Sequence, residues 1–297
     1  MSSFSACQQS YLPAEVRHRI GSYWCESKRP LTSLLFVLPM LMAYELGVLT
    51  VPTTMRNGAD ALMRRLLDAL GFGGYFLLPC LTVALLLAWH HALREPWRVR
   101  MSALVWMLAE SVGLAIALIN VAHLQGILFP VALPDGRLGS PIGSPQVTSP
   151  EASVATATYD SWKSKLKFDA VSPPGGTAAT GSVKDRAIIA LGRILAYCGA
   201  GVYEETLFRL LLLPVAASAA ALAGLSRRWQ TAVAVVSTSL LFSLAHYVGA
   251  GGDAWSISSF IFRFLAGTFF ALLLVARGFG IIAGMHAIFD VMVGVDG

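Results

Sequence analysis

The sequence predicts an all-α protein: a polytopic bundle of about seven membrane-crossing helices, with one further amphipathic helix at the membrane interface. Three observations predict it. First, 56% of the 297 residues are hydrophobic and 13% are charged, with a mean hydropathy of +0.64; soluble domains carry roughly 25% charged residues. That much apolar surface cannot be hidden in one soluble core, so most of it must face lipid or other lipid-facing helices. Second, the apolar residues fall into runs close to the ~20 residues a bilayer crossing needs. Third, Lys and Arg cluster in the short segments between these runs, the pattern of cytoplasmic loops beside anionic lipid. The same clustering argues against nucleic acid as a partner, although the net charge is +5.

Taken in order, residues 1–29 are polar and amphipathic and contain no short apolar run followed by a small-residue cleavage site, so they read as a cytoplasmic N-terminal segment rather than a cleaved signal. Residues 30–133 form a three-span front half with predicted spans at Pro30–Val51, Phe72–Leu93 and Ala103–Gln125. Residues 134–182 are rich in Pro, Gly and Ser and have too little to bury to offset their ordering entropy, so they are predicted to be a flexible loop. Tyr159–Phe168 within it could touch the membrane surface. Residues 183–297 form a four-span back half, with spans at Ala200–Ala223, Trp229–Val248, Ile257–Ala276 and a short one at Phe279–Val295.

Charge sets the expected orientation. Arg17, Arg19, Lys28 and Arg29 fall on one side, with Arg94, Arg98 and Arg100, then Arg227 and Arg228, then Arg277; the opposite short loops offer Arg56, Arg64 and Arg65. The bias places the N-terminus inside and the long loop outside. Cys7, Cys25, Cys80 and Cys198 form no CxxC pair, and neither a disulfide framework nor a zinc knuckle is predicted.

Ionisable side chains inside spans are costly and are functional candidates by default. They concentrate in the back half: Glu204, Glu205 and Arg209 in the fourth span, His246 at the end of the fifth, and His286 and Asp290 in the seventh. Glu205 and Arg209 are four apart and can pair on one helix face. Glu204 is rotated by about 100° and can face a cavity. His286 and Asp290 share a face in the same way, and His246 brings a second imidazole from another helix. Carboxylates and imidazoles together suit activating a water and stabilising an oxyanion. Glu45, Glu110 and Arg263 read as partners in interhelical hydrogen bonds, and His90, His91 and His123 as solvated imidazoles near span ends.

In order along the chain, Glu204-Glu205-xxx-Arg209, Phe242-xxx-His246 and His286-xxx-Asp290 resemble the three motifs of the CPBP family of membrane proteases (CAAX protease and bacteriocin-processing, which includes the type II CAAX prenyl proteases). The likeness covers about Ala187–Val295; where the best-known prenyl endopeptidases end the third motif in Asn, this chain has Asp290. The resemblance implies an intramembrane endopeptidase acting on a membrane-tethered protein or lipid-anchored peptide in the lipid bilayer, by C-terminal tail or leader processing. It further implies that Glu204 is the general base, that Glu204 and His246 position the water, and that His286, helped by Asp290, stabilises the oxyanion. Glu205 and Arg209, with Phe242, would be structural support. No cofactor is expected; zinc held by Glu204, His246 and His286 is the alternative, disfavoured because no HExxH helix is present. The composition and the lack of eukaryotic targeting signals favour a bacterial inner membrane. The rival reading is a non-catalytic transporter, immunity or scaffold protein that retains the motifs; no repeat relates residues 30–125 to 200–295, which argues against the transporter.

Depth adds a further expectation. His246 is late in its span, so an antiparallel fourth span brings Glu204 level with it only if Glu204 is early in that span. The fourth span is therefore predicted to begin near Ala200, with Lys184–Cys198 as a separate amphipathic helix at the outer interface. On the same boundaries His286 falls closer to the inner side than its proposed partners.

Overall fold

The computed structural model describes residues 22–50, 77–128, 131–132, 138–139, 183–248 and 255–294. After a short helical segment at 22–27, the helices are α1 (Pro30–Thr50), α2 (Leu77–Leu93) and α3 (Met101–Leu128). A two-rung antiparallel pair follows, β1 (Val131–Ala132) with β2 (Leu138–Gly139). The back half comprises α4 (Val183–Glu205), a π-helical segment (Thr206–Leu212), α5 (Leu213–Leu222), α6 (Arg227–Ala245), α7 (Ile257–Arg277) and α8 (Phe279–Gly294). Apart from Leu138 and Gly139, the loop expected at 134–182 lies outside the described residues, as do Cys7, Arg17, Arg19, Arg56, Arg64 and Arg65.

The all-helical membrane bundle is what the structure shows. Four stretches are long and apolar enough to cross a bilayer: Pro30–Thr50, Met101–Gln125, Ala190–Leu222 and Ile257–Arg277. Leu78–Leu93 and Phe279–Gly294 are shorter apolar helices. α6 belongs to neither group. Several of its hydroxyls are folded back on its own backbone, with Thr231, Thr238 and Ser239 donating to the carbonyls of Arg227, Ala234 and Val235. This lets polar residues sit in an apolar helix with their hydrogen bonds made. Large apolar side chains such as Leu46, Trp106, Leu124, Leu222 and Leu272 are exposed, as lipid-facing positions require.

α8 is the centre of the bundle and packs against α1, α3, α4 and α7. Every residue from Phe279 to Ala287 is buried. Small residues make this possible. A Cβ on Gly280 would collide with the Met107 side chain and come within 3.0 Å of the Ser33 backbone, and one on Gly284 would meet Phe36 and Ser111. In membranes such close backbone approach, rather than hydrophobic exclusion, holds helices together. The turn into α8 is set by Gly278, whose φ of 87° is open to glycine and costly for other residues, and its Cα lies against the Ser27–Lys28 backbone.

Two boundaries differ from expectation. The separate interfacial helix is absent: Lys184–Cys198 is the first part of α4, which runs on through the π segment into α5. The apolar stretch Ala190–Leu222 has 33 residues, roughly 50 Å of helix, well beyond the ~30 Å hydrocarbon core. Gly199, between Cys198 and Ala200, does not break the helix, because α4 is packed there against Tyr44 of α1 and, at Gly201, against α8. Glu204 and His246 are nonetheless level, counted from the α5–α6 turn. Glu204 precedes the α5–α6 turn by about 18 residues and His246 follows it by about 19, some 27–29 Å along each antiparallel arm. The apparent depth mismatch of His286 also resolves. The α7–α8 turn is tucked against Ser27–Lys28, and from there His286 still comes within 3.8 Å of Glu204.

Candidate active site

Three segments bring the motif residues together: the end of α4 with its π continuation, the end of α6, and the middle of α8. Glu204 and Glu205 close α4, and both are buried. Because they differ by about 100° in direction, they meet different neighbours. Glu205 Oε2 lies 3.1 Å from Arg209 Nε, the expected i,i+4 pair. Glu204 Oε2 lies 3.9 Å from His246 Nε2 and 3.8 Å from His286 Nε2. Glu204 Oε2 has no hydrogen-bond partner among the described residues. π-helical turns are uncommon and concentrate at functional sites, and here one begins directly after the glutamate pair.

The hydrogen bonds fix the two imidazoles. His246 Nδ1 is 2.8 Å from the Phe242 carbonyl, which can only accept, so this nitrogen carries the proton and Nε2 faces Glu204. His286 Nδ1 is 2.8 Å from Glu205 Oε1, which orients its Nε2 toward Glu204 as well. On the same side of the ring, His286 Nε2 lies 3.6 Å from Asp290 Oδ2. The Glu205–His286 contact was not foreseen from the sequence, where Glu205 was assigned to Arg209 alone. It joins two motifs on different helices, and nothing in the local spacing of either announces it.

Arg209 is buried in an aromatic cage. Its guanidinium sits 4.4 Å from the Phe242 ring centroid, 5.2 Å from Phe270 and 5.8 Å from Phe208, and its Nη2 donates to the Gly267 carbonyl. Such stacking suits a delocalised, weakly hydrated cation held away from water. Phe242 also packs edge-on against His246 and His286, so one ring buttresses the cation and both imidazoles. Openings lie at His246 and Asp290, whose side chains are 21% and 22% exposed, while Glu204 is 6% exposed. The site is thus deep, with access beside the α6 terminus and α8.

Of the charges expected to make interhelical hydrogen bonds, Glu45 and Glu110 do so and Arg263 contacts a ring, while Arg277, expected in a loop, pairs with Glu110. Tyr203 donates to Glu45 across α4 and α1. Arg277 makes a bidentate pair with Glu110, whose second oxygen also accepts from Tyr23. Arg263 stacks over Tyr247. His90, expected to be solvated, is instead fully buried and packs edge-on to Trp97. α2 ends in a loop that folds back over it, which its position near a span end did not reveal.

Comparison with known families adds one finding. Residues 187–292 match the family model described as Type II CAAX prenyl endopeptidase Rce1-like, in agreement with the resemblance of the three motifs to the CPBP family. The match spans all seven residues singled out as catalytic or supporting. No curated protein matches the chain, and no solved structure matches it.

Proposed function

We propose that this protein is an intramembrane endopeptidase that hydrolyses a peptide bond of a membrane-tethered protein, removing a C-terminal tail or a leader, with water activated by Glu204. The observation that carries the reading is the spacing around Glu204. Its buried Oε2 stands 3.8–3.9 Å from two imidazole nitrogens, too far for a direct hydrogen bond and suited to a water bonded at ~2.8 Å to the carboxylate and an imidazole together. Glu204 takes the proton of that water as it attacks the scissile carbonyl, and His246 Nε2 orients it. His286 Nε2, held by Glu205 and flanked by Asp290, donates to the developing oxyanion. A donor already aimed where charge develops lowers the barrier without reorganising during the reaction. Asp290 serves by flanking the His286 ring at Nε2, which fits a carboxylate at that position better than a direct oxyanion contact.

The family match supports this reading over a non-catalytic scaffold or transporter, because the match covers the acid–base residues. The N-terminus is proposed to be cytoplasmic in a bacterial inner membrane, on the distribution of Lys and Arg. Quantitative proteomics of membrane-protein termini, comparing wild-type cells with Glu204→Ala cells, tests the reading. A set of termini that disappears in the variant supports it and names the substrate; identical termini contradict it.

One observation favours a second reading. Both histidines have Nδ1 occupied by an oxygen and present Nε2 to the same carboxylate, which is also how zinc-bound histidines are oriented. Glu204, His246 and His286 would then hold zinc, whose chemistry would be to polarise the carbonyl and acidify water, although as they stand these three are not spaced as a metal site. The metal-free mechanism predicts that turnover survives 1,10-phenanthroline. Loss of turnover that added Zn²⁺ restores would replace it with the zinc mechanism.

A further inference from the structure

We propose that Glu45, in the front half and outside the family match, is a positioning residue for Glu204 and acts through Tyr203. The inference rests on the reading of Glu204 as the base. Along one seam α4 is pressed against α1: a Cβ on Gly47 would strike the Leu195 side chain at 2.7 Å, and one on Gly199 would strike the Tyr44 ring at 2.4 Å. The next turn of that face is Tyr203, fully buried, edge-on to Tyr44 at 5.5 Å, with its hydroxyl donated to Glu45 Oε1. On the opposite side, Gly201 sits against the backbone of Ala283 and Ala287 in α8. The catalytic helix is therefore wedged between the front half and the helix that carries His286.

The wedge matters at one turn. Tyr203 and Thr206 bracket the Glu204–Glu205 pair, and each touches a front-half helix: Tyr203 touches Glu45 of α1, and Thr206 Oγ1 is 3.4 Å from Thr82 Oγ1 of α2. At Thr206 the backbone changes from α to π. A π turn is a poor fixer of register because its hydrogen-bond ring is wide and seldom favoured. The direction of Glu204 is thus set by what holds Tyr203 from outside, and a buried carboxylate accepting a phenol O–H is a directional, charge-assisted anchor. Packing at Gly47 and Gly199 sets how close the helices come; the Tyr203–Glu45 bond sets the rotation of α4 about its own axis, which decides whether Glu204 faces the histidines.

The test uses intact, detergent-solubilised protein and a readout independent of turnover. N,N′-dicyclohexylcarbodiimide, which modifies carboxyl groups in apolar surroundings, is applied to wild type, Tyr203→Phe, Glu45→Leu, Glu45→Gln and the double variant Tyr203→Phe/Glu45→Leu. Labelling at Glu204 is followed by peptide mass spectrometry, with the melting temperature recorded for each. Tyr203→Phe and Glu45→Leu are expected to speed labelling at Glu204 about threefold or more, Glu45→Gln to restore the wild-type rate because it keeps an acceptor oxygen, and the double variant to match the singles, as residues acting through one contact do. Unchanged labelling at Glu204 in folded Tyr203→Phe overturns the proposal, as does a double variant whose effect is the product of the two singles. If Glu45→Leu does not fold, Tyr203→Phe, which loses a single hydroxyl, still decides the matter. Failure of the endopeptidase reading would show in the protein termini and not in this labelling, so the two fail separately.

Discussion

Two ionic clusters among the described residues are built differently. At the end bearing Gly278, Glu110 and Arg277 form a bidentate pair, Tyr23 donates to the same carboxylate, and the guanidinium lies 4.1 Å from the Trp24 ring centroid. Burial and the Glu110 carboxylate together push the Tyr23 phenol up, so it stays protonated as a donor. Around Glu204 the pattern is looser: 3.6, 3.8 and 3.9 Å between groups that could have approached to 2.8 Å. The first cluster is closed by direct hydrogen bonds to both carboxylate oxygens. The second is spaced for a small guest shared by a carboxylate and two imidazoles. Glu205, which contacts both Arg209 and His286, links a closed ion pair to the proposed site.

Substitutions distinguish the two clusters. The largest effects are expected at the imidazoles: His246→Ala and His286→Ala should each lower turnover about 10²–10⁴-fold, and the double variant should be scarcely worse, because groups that act as a unit are not additive. Multiplicative losses would separate their roles. Glu205→Gln comes next. It leaves the buried Arg209 without its charge partner, at a cost of about 3–5 kcal/mol, and it also loosens His286. Turnover per folded molecule should therefore fall as well; a purely proportional loss would reduce Glu205 to a scaffold residue. Arg277→Met should lower stability by about 3 kcal/mol, the low end for a broken buried pair because the Glu110 side chain is partly exposed, with turnover per folded molecule unchanged. Lost turnover there would tie the two clusters together. The smallest effect is expected for Ser243→Ala, which removes the bond from α6 to the Phe260 carbonyl of α7 and should cost about 1 kcal/mol in chemical denaturation without moving turnover.

Much of this was legible in the sequence, for physical reasons. Apolar runs report membrane helices because lipid leaves backbone groups no partner but each other, and α1, α2, α3 and α7 fall where those runs do. Charges inside the runs flagged the site because burying them needs a reason. What could not be read were matters of register between helices. Lys184–Cys198 looks interfacial because it carries Arg186 and Arg193, yet α4 continues straight through it. Hydropathy measures the stretch's affinity for water and not the contacts of Gly199 and Gly201 that keep the helix in place. The bonds Glu205–His286 and Tyr203–Glu45 span 81 and 158 positions, beyond any local spacing rule. The π segment was likewise invisible, since Thr206–Leu212 reads as ordinary helix.

Glu204 is proposed to act on water and not to hold the fold. This role is tested most directly by Glu204→Gln, which keeps the shape of the side chain and removes its basicity. Turnover of the substrate identified from the protein termini and the melting temperature would be measured beside wild type in the same detergent. The account predicts a melting temperature close to wild type and turnover reduced by about 10²-fold or more; near-wild-type turnover in a folded Glu204→Gln protein would contradict it.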